Sequence, residues 1–510
     1  MLIHQFLERS AARLPDKVAL ILGERRVSYA QLEQSANSLA NWLAHCGTTA
    51  GGRVLLLVEN SEEYVISYYA ILKAGLVAVP MSPETRSDTL RRIMERTTPQ
   101  VVIASARGAK ALGEAPPCPL AAVLLTAPSF QRLQLPVAAV PFEELLRSGA
   151  SPPPLSLAPG SLASIIFTSG SSGPPKGVML SHANVVANTC SIVAFLGLTE
   201  ADRQMVVLPF FYVMGKSLLN THIAVGASLV INNTFAYPAT VLTQMEEEEV
   251  TGFSGVPSTY AYLLHRSPLK AYRDRLPALR YCSQAGGHMA RQVKEELLRA
   301  LPPHTKLYVM YGATEASARL SYVEPERLRE KIDSIGIPIP GVTMKVVDAS
   351  GRELSEGETG ELVAAGDNIM TGYWRDPEGT RRVLGEHGYR TGDMGYRDRD
   401  GYFYLVGRGD RQLKVGGHRI APQEVEDALM ATGLLVEAAV FGVEDPLAGH
   451  RLVAVGVPIN GGTTGKEVLG RCQKWLPKFK MPGELRLVRV LPKLENGKVA
   501  FARLREEGAG

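Results

Sequence analysis

The sequence predicts an α/β protein: a large N-terminal domain of layered α/β subdomains, a small β-rich subdomain, and a smaller C-terminal α+β domain. Three observations predict it. Short apolar runs alternate with helix-type stretches through most of the chain, the pattern of parallel strands layered with helices. From Lys345 the texture changes to short strands separated by Asp/Gly turns. After Asp410 an entry strand and turn lead into a helix and then a basic end, where residues 466–505 carry 11 Lys and Arg against 3 Asp and Glu. At 510 residues the chain is expected to divide into units that each bury a core.

Taken in order, RVLLLVEN at 53–60 reads as a buried strand, and SEEYVISYYAILKAG at 61–75 as a helix capped by Ser61 and ended by Gly75. LVAVP at 76–80, a charged helix over 85–96 and VVIA at 101–104 continue the alternation. A Pro/Gly/Ser connector at 148–160 delivers the chain to SIIF at 164–167, a short strand. Beyond Ser181, which can N-cap an apolar helix, strand-type runs recur at 205–210, 228–232, 250–255, 279–287 and 306–315. Several break into Gly, Ser or Thr, and strand ends of this kind gather ligand loops in open α/β sheets. KVVDASGREL, TGELVAAG and GYFYLVGRGD form the β-rich subdomain; AAVFGV and RLVAVGVPI are strands of the C-terminal domain.

Composition excludes several function classes. Hydrophobic content of 45% with 21% charged residues is ordinary for a soluble globular chain, and a net charge of +4 from 55 basic and 51 acidic residues does not imply nucleic acid. The first 17 residues have no long apolar core, and no stretch reaches about 18 uninterrupted apolar residues, so a cytoplasmic protein without a membrane span is expected. The five cysteines are widely spaced, without metal-type pairs, and read as reduced structural thiols.

The chemistry begins at TSGSSGPPKG, residues 168–177. Gly170, Gly173 and Gly177 let backbone approach a ligand, while Thr168, Ser169, Ser171, Ser172 and Lys176 supply hydroxyls and a cation suited to phosphate oxygens. A Walker A loop requires Gly-Lys followed by Ser or Thr; here Pro175 precedes Lys176 and Gly177 follows it, so that reading fails. A solvated Gly/Ser linker is the bland alternative.

YGATEAS at 311–317, YRTGDMG at 389–395, GRGDRQLKVGGHRIAPQEVE at 407–426 and NGKV at 496–499 follow the loop in turn. With these five motifs in this order, nearly the whole chain resembles the adenylate-forming (AMP-binding) ligases: acyl- and aryl-CoA synthetases and stand-alone adenylation enzymes. The resemblance implies ATP-dependent activation of a carboxylic acid to an acyl-adenylate with release of pyrophosphate, then acyl transfer to the thiol of coenzyme A. It implies ATP, Mg2+ and coenzyme A, or a carrier-protein phosphopantetheine, as cofactors. The alternatives are loading of an acyl or peptidyl carrier protein and, in another class, a catalytically silent nucleotide-binding regulator.

Carried over residue by residue, the resemblance makes Thr168, Ser169, Gly170, Ser171, Ser172, Gly173 and Lys176 the pyrophosphate cradle. Tyr311 resembles the ring near adenine, with Gly312 beside it. Thr314 resembles a phosphate contact, Glu315 the magnesium ligand, and Gly286 and Gly287 the adenine-side loop. Asp393 resembles the ribose acceptor, Arg408 a phosphate or ribose contact, and Lys498 the lysine bridging the substrate carboxylate and α-phosphate. Asp410 matches the family's hinge between an N-terminal domain at 1–409 and a mobile C-terminal domain at 410–510. Turning about it would exchange Lys498 for the face of Lys414, Gly416, Gly417 and Arg419, which would shape a thiol tunnel.

The acyl pocket implied by the family draws on 209–226, 253–260 and 316–320, with Tyr212, Val213, Lys216, Ser254, Gly255 and Ala316 as candidates. Tyr212 replaces a frequent family histidine and either gates the site or packs as core. No aspartate lies between Pro209 and Thr221, which disfavours an α-amino acid, because its buried ammonium would be unpaired. Lys216 and His222 could meet a polar or second anionic group on the acid. The basic C-terminal stretch suits either coenzyme A phosphates or an acidic carrier helix. The chain lacks the extra insertion of fatty-acyl-AMP ligases, which favours coenzyme A.

Overall fold

The computed structural model describes the chain except residues 113–115, 127–138, 147–150, 152, 155, 169–174, 409–412, 416–417, 446–448, 495–496 and 507–510. Two large sheets organise the N-terminal part. In the eight-stranded sheet the order is Gly372–Tyr373, Lys176–Ser181, Leu162–Thr168, Val77–Pro80, Arg53–Leu57, Val101–Ala104, Ala122–Leu125, Ala139–Pro141. The nine-stranded sheet runs Ile337–Pro338, Ser321–Val323, Lys306–Tyr311, Tyr281–Gln284, Gly252–Gly255, Arg203–Val206, Ser228–Ile231, Val18–Leu22, Arg25–Ser28. The centre of each is parallel; antiparallel strands close both ends of the nine-stranded sheet and the Gly372–Tyr373 end of the eight-stranded one.

Central strands such as Leu162–Thr168 and Tyr281–Gln284 are buried along nearly their whole length, as parallel strands covered on both faces must be. The covering helices lie between the sheets: Tyr29–His45, Glu62–Lys73, His182–Leu196 and Val213–Val225 share one apolar core with residues of both. Leu90, Ile93 and Met94 of Ser87–Thr97 cover the outer face of the first sheet, and Pro238–Glu247, Pro257–Arg266 and Arg291–Ala300 that of the second. The result is a five-layer stack of helices and sheets.

Ser181 caps the following helix as its sequence position suggests. Its hydroxyl accepts from Asn184 N, and the Asn184 side chain accepts from Ser181 N, so two otherwise orphaned amides are satisfied. The stretch just before it was not foreseen as a strand. Lys176–Ser181 pairs antiparallel with Leu162–Thr168, in register from Thr168–Lys176 to Ser164–Leu180 with a shift before Leu162–Ser181, so the motif at 168–177 joins the two strands of a hairpin. The connection therefore returns Lys176 opposite Thr168 instead of passing directly into a helix.

The expected β-rich subdomain is a five-stranded antiparallel sheet of Val342–Val347, Gly360–Gly366, Gly388–Arg397, Leu384–Gly385 and Phe403–Arg408. The C-terminal sheet contains His418–Ile420, Leu413–Val415, Gly449–Pro458, Leu435–Asp445 and Glu484–Leu487, with helix Pro422–Ala431 packed on it. That unit rests on the outer helices of the nine-stranded sheet: Val293 and Leu297 share a core with Val425 and Leu429, and Ala261 with Val436 and Phe441. His288 Nε2 adds a contact of 2.8 Å to Asp427 Oδ1.

Candidate active site

Parallel pairing aligns the ends of Gly252–Gly255, Tyr281–Gln284 and Lys306–Tyr311 on one edge of the nine-stranded sheet, where ligand loops of such sheets collect. Gly286 has a φ of +86°, and a Cβ there would stand 3.2 Å from Val256 Cγ1; Gly287 packs on Pro257. Gly312 is required more strictly, because a Cβ would lie 1.9 Å from the Ala318 carbonyl oxygen. This close approach folds residues 312–319 back on themselves.

The turn carries strain. Ser317 has φ +57° and Ala318 φ +133°, conformations costly for residues with a Cβ. Buried asparagines offset it. Asn368 Nδ2 donates to the Ala316 and Arg319 carbonyls at 3.0 Å each, Ser317 Oγ donates to the Asn368 carbonyl at 2.7 Å, and Asn188 Nδ2 donates to the Arg319 carbonyl at 2.9 Å. Thr314 and Glu315 thus stand on a short 3-10 turn fixed from behind.

Glu315 Oε1 accepts from the Tyr373 hydroxyl at 2.8 Å, and its backbone carbonyl accepts from Met370 N. Lys176 is exposed, with Nζ 4.7 Å from the centre of the Tyr373 ring. Glu315, Tyr373 and Lys176 are therefore brought together from three distant segments. Burial, and then the Glu315 charge, raise the Tyr373 pKa and keep its phenol protonated as a donor. Thr168 is half-buried, its Oγ1 3.5 Å from the Lys176 carbonyl. Ser169, Gly170, Ser171, Ser172 and Gly173 lie outside the described residues.

A second group forms around Asp393. Tyr311 donates to Asp393 Oδ2 at 2.6 Å, and Arg408 Nε donates to Oδ1 at 2.9 Å. Strand register explains the latter pair, since Asp393 and Arg408 are direct partners of neighbouring strands. Tyr311 is half-buried, and desolvation followed by the Asp393 charge raises its pKa well above the usual phenol range. Each carboxylate oxygen retains a lone pair for a further donor.

The C-terminal unit reaches the same edge. Lys498 is exposed on a turn in which Leu494 N donates to the Lys498 carbonyl, and the Gly497 carbonyl accepts from Ser258 Oγ at 3.2 Å. A Cβ at Gly497 would lie 3.1 Å from Val256 Cγ2, the residue that also faces Gly286. Lys414 and Arg419 pair by register on the short hairpin of that unit, but their side chains, like Asp410, Gly416 and Gly417, fall outside the described residues.

The acyl-pocket candidates separate. Val213 and Lys216 line a cavity together with Ser164, Thr189, Ser217 and Ser317. Tyr212 precedes helix Val213–Val225 and packs its ring against Phe211 at 4.8 Å. Ser254 is buried with its hydroxyl 2.7 Å from that of Ser283, a Cβ at Gly255 would clash with Thr259, and Ala316 is fully buried. His222, considered above as a group for the acid, is occupied instead: Nδ1 donates to the Leu218 carbonyl at 2.8 Å and Nε2 meets the Tyr281 hydroxyl at 3.1 Å. Burial lowers its pKa to about 4, so it is neutral.

Sequence reading missed Tyr373, Asn368, Asn188 and Arg319. No local motif marks the first three, whose meaning comes only from distant partners. Arg319 had one usable signal, a charged residue in the apolar stretch behind the 311–317 motif.

Comparison with known proteins agrees with this architecture. The family model described as AMP-binding enzyme matches residues 7–374, and that of the AMP-binding enzyme C-terminal domain matches 424–498. The chain is 30% identical over 500 residues to a feruloyl-CoA synthase of Amycolatopsis sp, covering 98% of this chain and 97% of that protein. It is 31% identical over 512 residues to a sulfoacetate–CoA ligase of Cupriavidus necator, covering 97% and 95%. Among solved structures it is similar to the anthranilate CoA ligase AuaEII in complex with anthranoyl-AMP, with a TM-score of 0.87, 26% identity, and coverage of 99% and 97%. Both family models are matched in order, and whole-length relatives are CoA ligases: the chain belongs to the AMP-binding enzyme family and is an AMP-forming acid–CoA ligase.

Proposed function

We propose that Lys498, Thr314, Glu315 and Lys176 act on the reacting phosphates in a two-step ligation, while Tyr311, Asp393 and Arg408 hold the nucleoside. A carboxylate is a poor electrophile, and linking it to phosphate makes AMP its leaving group. In the first step a substrate carboxylate oxygen attacks the α-phosphorus of ATP, and the bond to pyrophosphate breaks. In the second, the thiol sulfur of coenzyme A attacks the acyl carbon, the bond to AMP breaks, and the thiol proton is lost. The first step brings anions together, so positioned cations and donors carry the catalysis.

Lys498 suits the bridge between carboxylate and α-phosphate because its turn packs on Val256 and Ser258, beside Gly286. This docking is the observation that carries the reading. Lys176 and Thr168 frame the loop that would face pyrophosphate. Asp393 keeps acceptor capacity for ribose hydroxyls while Tyr311 and Arg408 fix its plane.

Magnesium fits the donor set. Among the described residues no cluster of three or more His, Cys, Asp or Glu could enclose a metal. Mg2+ needs none, since it is commonly held by one or two carboxylates plus substrate phosphates and water. Glu315 offers Oε2, which has no protein donor among the described residues, while Oε1 rests on Tyr373. When bound there, the ion supplies charge neutralisation at the phosphates.

Domains at 1–409 and 410–510 turning about Asp410 would exchange Lys498 for the hairpin of Lys414 and Arg419 between the half-reactions. A carrier-protein phosphopantetheine is the competing acceptor; the CoA ligase relatives favour coenzyme A. A cytoplasmic location fits the described helices, none long and apolar enough to cross a membrane.

The test is pyrophosphate release with ATP and Mg2+ over a panel of aliphatic, aromatic, dicarboxylic and sulfo acids, each with and without coenzyme A. Sustained release that requires coenzyme A and yields thioester plus AMP is expected. Release that stops near one equivalent in both cases would move the acceptor to a carrier protein.

A further inference from the structure

Lys216 sits in the first turn of helix Val213–Val225 and is 3% exposed. Its Nζ donates to no acceptor among the described residues. It lies 4.4 Å from the ring centre of Tyr68 and 5.8 Å from that of Tyr64, and it makes no ion pair among those residues. Other buried lysines of this protein are treated differently. Lys73 contacts Glu8 and Glu33 at 2.8 Å each, Lys331 pairs with Asp398 and Asp400, and Lys294 donates to the Ile332 carbonyl.

An ammonium without an acceptor is among the most costly groups to bury, and aromatic faces compensate only in part. Desolvation accordingly lowers the Lys216 pKa to about 7. Arg319, four residues beyond Glu315, is a second buried cation, though its Nη1 donates to the Ala318 carbonyl at 3.4 Å. It is 3% exposed, its Nε faces Met310 Sδ at 3.1 Å, and it forms no ion pair among the described residues. Two cations are thus buried close to the reacting edge with no protein carboxylate assigned to them.

The cavity that Lys216 lines is small, and its wall is mostly apolar, with Ile166, Leu180, Val185 and Val213 around the lysine. Ser164, Thr189, Ser217, Asn220 and Ser317 contribute hydrogen-bonding groups to its wall. Ser164 belongs to the strand that enters the 168–177 loop, and Ser317 stands two residues beyond Glu315. Helix His182–Leu196 supplies Thr189 to the cavity and Asn188 to the Arg319 carbonyl. The same elements therefore wall the cavity and carry the groups that would act on the acyl phosphate.

We propose that the acid activated by this enzyme is compact and carries a second anionic group, a carboxylate or sulfonate, that binds Lys216 in the cavity it lines. The proposal rests on the ligase reading above and specifies its substrate class. The anion would restore the missing partner of the ammonium, and the buried Ser164 hydroxyl, which has no hydrogen-bond partner among the described residues, would donate to it as well. Neutral acids of equal length would leave Lys216 buried and unpaired, which is the physical basis of selectivity.

The test compares kcat/KM for thioester formation with matched pairs, each a dicarboxylic acid and its monomethyl ester, and a sulfo acid against the unsubstituted acid of the same length. The wild type is expected to favour the doubly anionic member of at least one pair by about 100-fold or more, and Lys216→Met to lower that ratio by a similar factor. A merely structural lysine would leave the ratio unchanged, even if the variant melted lower. Wild-type preference for neutral acids, or a ratio untouched in a folded Lys216→Met protein, would overturn the proposal while leaving the ligase reading intact. Absence of pyrophosphate release with every acid would overturn both. If the methionine variant does not fold, the wild-type ratio decides alone.

Discussion

Glu315 and Asp393 each give one oxygen to a phenol, the buried Tyr373 and the half-buried Tyr311 respectively. The phenols orient the carboxylates without adding charge, so both acids remain available to a cation or a hydroxyl. His222 shows the opposite treatment, a titratable group sealed into structure. Its folded pKa is about 4 against an ordinary 6.5, through burial. The folded state therefore binds fewer protons than the unfolded state between these values, and stability falls as pH drops through that window. The contribution is full above 6.5 and is lost toward 4, at most roughly 3 kcal/mol. His182, also lowered to about 4, contributes in the same sense. Denaturant titrations at stepped pH should show a shallower slope between pH 6.5 and 4 in His222→Gln; an unchanged slope would mean that His222 is not neutralised by folding.

At the scale of elements, the 312–319 turn is the part whose geometry depends most on distant support. Asn368→Ala would leave the Ala316 carbonyl without its amide donor and the Arg319 carbonyl with Asn188 alone, and release the positive-φ backbone at Ser317 and Ala318. A stability loss of about 1–3 kcal/mol is expected, with a fall in kcat larger than the change in KM for ATP, measured by melting and steady-state kinetics. Loss of stability with kcat preserved would show that the turn holds Glu315 without Asn368. Much of this region was legible before folding was considered. The strand endings, the Ser181 cap and the 311–317 motif carry local signals, because turn glycines and caps act within a few residues. The hairpin strand Lys176–Ser181 was not, since six residues of mixed polarity give no clear period. Nor was the burial of Lys216, because helix Val213–Val225 is enclosed between two sheets and places Lys, Ser, Asn, Thr and His inside together. A polar residue on such a helix has no solvent face to which it can turn.

For the whole molecule, the sequence supported the division into three units and the gathering of motifs, but not how the C-terminal unit sits. Residues 82 positions apart meet at Tyr311 and Asp393, and 239 positions separate Ser258 from Gly497. Such pairings follow from sheet topology and from docking of helices Pro422–Ala431 and Arg291–Ala300, which one sequence does not specify. The docking places the Lys498 turn against Ser258 and Val256, which suits the first half-reaction if Lys498 acts there as proposed. If the unit turns between steps, Lys498 matters for adenylation and not for thiol transfer. The most direct measurement is therefore single-turnover kinetics of Lys498→Ala, once from acid plus ATP and once from pre-formed acyl-adenylate plus coenzyme A. The account predicts adenylate formation slowed by about 100-fold or more, with thioester formation from the adenylate within about threefold of wild type. Equal slowing of both half-reactions, or undiminished adenylate formation, would contradict it.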